Sequence, residues 1–108
     1  MPTAVEVVQS LQQAADAASD AFDAAVAANP SGDFSKLHDA KVKAVALAAA
    51  AINKALDGDP AVADIQKQLD AVTNEIRSKL DTLQEIQQFL RLLNELVRFA
   101  TQVSKFFV

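Results

Sequence analysis

Three features of this 108-residue chain predict an all-α fold. Good helix formers dominate, with only two glycines and three prolines, and the β-branched residues are scattered rather than clustered into strands. Two breaks, Asn29-Pro30-Ser31-Gly32-Asp33 and Asp57-Gly58-Asp59-Pro60, divide the sequence. Beyond the second break the apolar residues hold a heptad phase. Val62, Leu69, Ile76, Leu83, Leu90 and Val97 fall at a, and Ile65, Val72, Ile86, Leu93, Ala100 and Phe107 at d, with Lys79 and Ser104 the interruptions. The length suits a single domain spanning residues 1–108.

The first helix is expected over about residues 3–29. Thr3 and Glu6 have the spacing of a capping box, and Val8, Leu11, Ala15, Ala18, Phe22 and Ala25 form a seam whose alanines let a partner helix approach closely. Pro30 ends it by disfavouring helix at Asn29. Asp33 is positioned to cap a second helix, about 34–56, whose apolar side includes Leu37, Ala44, Val45, Ala48, Ile52 and Leu56. Gly58 suits a left-handed turn, Asp59 a cap, and Pro60 the first position of a third helix, about 60–107.

That third helix, if continuous, is about 73 Å long, against about 40 and 33 Å for the first two. The hairpin therefore covers only its first half. The uncovered half is the more apolar: Phe89, Leu96 and Val103 at g, with Leu92, Phe99 and Phe106 at c, widen the seam to an arc of about 160°. A face of that width predicts an interaction surface made of Ile86, Phe89, Leu90, Leu93, Leu96, Val97, Phe99, Val103, Phe106 and Phe107. The expected architecture is an antiparallel hairpin plus a long helix, completed as a homodimer. The alternative is a monomeric up-and-down four-helix bundle with a break near Ser78–Thr82, capped by Asp81 with Gln84 or by Thr82 with Glu85. The unbroken heptad phase, and the lack of Gly or Pro there, favour continuity.

Composition narrows function. A net charge of −4 argues against nucleic acid as a partner, and the absence of cysteine removes thiolate chemistry and Cys-ligated zinc. Met1–Glu6 lacks a leader pattern, and no run nears the ~20 apolar residues of a membrane span, so a cytoplasmic protein is expected. There is no phosphate-cradling glycine loop and no second histidine for an imidazole metal site, so neither cofactor nor metal is expected. The resulting expectation is a non-enzymatic protein–protein interaction or assembly protein, homodimeric or bound to another helical protein.

Two other readings rest on particular residues. Arg91, Arg98 and Lys105 recur every seventh position beside Phe89, Phe99, Phe106 and Phe107, a pattern that also suits a helix lying on a membrane surface. The octet Leu37-His38-Asp39-Ala40-Lys41-Val42-Lys43-Ala44 resembles the histidine phosphotransfer domains, which place a lysine three residues after an exposed histidine on a four-helix bundle. The resemblance implies His38 as phosphoacceptor. Val42 stands where those domains carry glycine, and Ala40 where they carry leucine. Asp16, Asp20 and Asp23 share a helix face and read as solvated acids, level with Lys36, Lys41 and Lys43 for surface pairing. Lys79 is read as a snorkelling lysine, or as a register-setting partner for Glu75 or Asp81 of a twin helix.

Overall fold

The computed structural model describes residues 2–108. Four helices follow one another: α1 (Ala4–Ala28), α2 (Ser35–Ala51), α3 (Ala61–Lys79) and α4 (Ile86–Ser104). The long third helix of the sequence reading is therefore two helices, separated by residues 80–85, and the four-helix alternative describes the arrangement better. The longest dimension is 45 Å, well short of the length a continuous helix requires. α1 and α4 form the central pair, with α2 and α3 in the grooves on either side of them.

The capping box opens α1 as expected: Thr3 Oγ1 accepts from the Glu6 N–H at 3.2 Å, and Glu6 Oε1 accepts from the Thr3 N–H at 3.2 Å. The alanine seam is the contact surface, with Ala14, Ala17, Ala18, Ala21 and Ala25 each at most 1% exposed. Small side chains bring the α1 backbone close to its neighbours, and Val7 and Leu11 supply the bulk. The few buried polar side chains have partners. Ser10 Oγ accepts from Gln66 Nε2 at 3.0 Å across α1 and α3, and Thr73 Oγ1 donates to the Leu69 carbonyl at 2.9 Å.

α2 is shorter than expected. Asp33 does accept from the Ser35 N–H at 3.0 Å and the Ser35 hydroxyl at 2.9 Å. Those two bonds, then the nearby Lys36 charge, hold its carboxyl below the usual carboxylate range. The helix ends at Ala51 rather than near Leu56. The freed residues pair instead with the end of the chain: the Asp57 N–H donates to the Phe106 carbonyl at 2.8 Å, and the Val108 N–H to the Ala55 carbonyl at 2.9 Å. Leu56 and Phe107 thus form an antiparallel bridge. Gly58 takes φ 87°, so its left-handed turn precedes α3 instead of closing α2. Asp59 Oδ1 accepts from the Ala61 N–H at 2.9 Å, as a cap for α3.

The turn at 80–85 is where sequence and structure part. Thr82 and Leu83 both donate their N–H to the Lys79 carbonyl at 3.0 Å, which closes α3. The capping pair that opens α4 is Glu85 with Gln88, four residues on from the expected Asp81 and three from Thr82. Asn29 fixes the turn from outside. Its Nδ2 donates to the Gln84 carbonyl at 2.6 Å and to the Ala25 carbonyl at 3.2 Å, so the end of α1 holds the α3–α4 connection. Gly32 lies beside it, and a Cβ there would require the Ile86 side chain to turn its Cδ1 methyl aside.

Candidate functional site

The fold moves the predicted interaction surface inward. Phe89, Leu93, Leu96 and Val103 are at most 1% exposed, and Phe99 and Phe107 are also buried. Ile86, Leu90, Val97 and Phe106 are half-buried and pack on the same core. The wide apolar arc of α4 is satisfied within one chain, because α4 lies against all three other helices. The aromatic side chains proposed to meet a membrane surface lie in this core or against it, while Arg91, Arg98 and Lys105 stay outside. Among the described residues, no helix is long and apolar enough to cross a membrane.

The outward side of α2 takes over as the exposed apolar face. Its buried row is Leu37, Ala40, Ala44, Ala48 and Ala51. On the outward side Val42, the adjacent Val45 and Ala46, Ala49 and, at the C-cap, Ile52 follow helical spacing, and all are exposed. Val42 is 49% exposed, Val45 43% and Ile52 53%. The reason is in the sequence: residues 44–52 hold no polar side chain, so the C-terminal half of α2 is apolar all round although only one side has neighbours to pack against. A shallow hollow of about 280 Å³, lined by Val5, Val8 and Ile52 with Gln9, Gln12 and Lys54 beside them, joins the end of this face to the start of α1. Sequence reading missed this face because it assigned Val45 and Ile52 to the core. The uncharged stretch between Lys43 and Lys54 was the available signal.

His38 is exposed near the start of α2, on the same outward side as Val42 and Val45. Its ring meets Phe22 of α1 edge-on at 5.9 Å, and Phe22 meets Phe34 at 6.2 Å. Lys41 Nζ lies 4.9 Å from the Phe22 ring centre, a cation–π contact. His38 and Lys41 thus flank one aromatic ring.

The acidic face of α1 is solvated as expected, but its pairing differs. Asp16, Asp20 and Asp23 are exposed, and Asp20 meets Arg77 of α3 at 3.6 Å instead of a lysine of α2. Lys79 bonds Glu75 of its own helix at 2.9 Å, so the fold supplies it a partner without a twin. No cluster of three or more His, Asp or Glu able to hold a metal ion occurs among the described residues.

A second surface lies between α2 and α4. A groove of about 310 Å³ has Ala40, Leu90 and Val97 as its apolar floor, with Lys36, Asp39 and Lys43 on the α2 side and Asn94 on the α4 side. Asn94 also borders an adjoining hollow lined by Arg91, Glu95 and Arg98. No family model, curated protein or solved structure matches the chain, so the reading of these surfaces rests on their own chemistry.

Proposed function

We propose that this chain is a non-enzymatic interaction protein that pairs with a second copy of itself through the outward face of α2. The observation that carries the reading is the exposed row Val42, Val45, Ala46, Ala49 and Ile52. Such a face on a small bundle marks an interaction surface. It suits contact with its own copy. A two-fold interface sets each patch against itself, and a patch without charge brings no like charges together. Ala46 and Ala49 allow two helices to approach, with Val42, Val45 and Ile52 as knobs at either end of the contact.

The reading is preferred to phosphotransfer because it uses the whole face. The phosphotransfer reading uses one histidine on that face, with Val42 where the domains it resembles carry glycine. Light scattering across a dilution series tests it. Wild type is expected to have twice the chain mass at high concentration, and Val45→Glu the single-chain mass at every concentration. Because Val45 is exposed, Val45→Glu should shift stability by no more than about 0.5 kcal/mol. A wild type that stays monomeric up to millimolar concentration removes the proposal.

A further inference from the structure

The groove between α2 and α4 shares no residue with the dimer face just proposed, although its Asp39 and Lys43 border Val42 and Ala46, and its charge is opposite to that of the chain. Lys36, Lys43, Arg91 and Arg98 are four of the ten Lys and Arg residues, while Asp39 and Glu95 are two of the fourteen acids. This strip therefore has a net charge of +2 (four cations less two acids) on a molecule of net charge −4. Its cations are available: the ion pairs found among the described residues are Arg77–Asp20 and Lys79–Glu75, which lie elsewhere. Arg98 has its guanidinium 4.7 Å from the Phe99 ring centre, a contact that leaves its charge uncompensated.

The cations are also periodic. α2 and α4 run in the same direction, since the Asn29–Gln84 bond sets the residues preceding both helices at one end of the bundle. Lys36 and Lys43 are seven residues apart on α2, and Arg91 and Arg98 seven apart on α4. Leu90 and Val97, at the same interval, lie on the floor of the groove. Seven helical residues rise about 10.5 Å. A strip with cations in two rows at that repeat and an apolar floor fits an amphipathic helix whose apolar ridge carries carboxylates at heptad spacing.

We infer that the α2–α4 groove docks an acidic amphipathic helix of a partner protein. The partner's apolar ridge covers Leu90 and Val97, and its flanking Asp and Glu residues meet Lys36 and Lys43 on one side and Arg91 and Arg98 on the other. The acidic side of α1 with Asp16, Asp20 and Asp23 is not itself such a ridge, because it carries Gln9, Gln12 and Gln13 where apolar knobs are needed.

The probe is a synthetic heptad peptide with leucine at a and d and glutamate at e and g, kept from pairing with itself near neutral pH by glutamate repulsion. Titration into isotopically labelled protein in the Val45→Glu background keeps the outcome independent of dimerisation. Saturable amide shifts are expected within Lys36–Lys43 and Leu90–Arg98, weakening as salt rises. The double variant Lys43→Glu, Arg98→Glu changes exposed residues, keeps its helicity and should bind about tenfold more weakly or worse. A peptide with lysine in place of glutamate should not bind. Equal binding of the two peptides, an unaffected double variant, or no saturable shift overturns the inference. So does binding of phosphatidylserine vesicles without binding of the peptide, which would assign the strip to a membrane surface.

Discussion

Leu93→Asp is expected to abolish cooperative unfolding. Leu93 is fully buried near the middle of α4, which like α1 packs on all three other helices. The substitution removes a large apolar side chain, itself a loss of about 2–5 kcal/mol, and leaves a carboxylate without a partner in the core. A domain of this size is stabilised by about 5–15 kcal/mol in total, so the combined cost approaches the whole of it. Circular dichroism should show reduced helicity at room temperature and no sigmoidal melt. Leu93→Ala, without the charge, should retain a melt at lower temperature. A Leu93→Asp protein that stayed helical and merely became monomeric would return Leu93 to a surface between copies and refute the single-chain core.

Ala18→Leu should also destabilise the fold, by less and for the opposite reason. Ala17 and Ala18 are fully buried, Ala14 and Ala21 almost so, and together they set the distance between α1 and its neighbours. A leucine there must push helices apart or adopt a strained rotamer, at a cost of about 1–3 kcal/mol and more where nothing yields. For a chain of this length that lowers the melting temperature by about 4–8 °C per kcal/mol. Ala27→Leu is the control, since Ala27 is on the exposed side of the same helix. Equal melting of the two variants would mean that the alanine seam is loosely packed.

Legibility in the sequence was uneven, and the reasons are physical. The start of α1 was readable because a capping box is local: Thr3 and Glu6 satisfy each other whatever the rest of the chain does. The break between α3 and α4 was not, because no residue in it forbids helix. Leu83 even continues the apolar phase, and both it and Leu80 are half-buried in the turn. What ends the helix is the return of α4 against α1, α2 and α3. That burial outweighs the few intrahelical bonds lost at residues 80–85, whose turn is held by Asn29 from far along the chain. The width of the α4 arc carried this information, since one helix needs more than one neighbour to cover it. The same width admits neighbours from a second chain, so the pattern alone led to a dimer. The candidate surfaces were less legible still. The α2–α4 groove exists only because residues fifty positions apart are brought side by side, and the open face of α2 depends on which side of an all-apolar helix remains uncovered.

The Asn29–Gln84 bond also bears on the order of events in time. Closing a contact between residues 55 positions apart costs chain entropy that a contact within one helix does not, and we expect this one to form after the folding barrier has been crossed. Such late contacts contribute little to the rate of folding and much to the persistence of the native state. The side chain of Asn29 then acts as a latch. In stopped-flow kinetics Asn29→Ala should steepen the loss of native protein, with a faster unfolding rate and a folding rate close to wild type. A matching fall in the folding rate would place the bond in the nucleus instead.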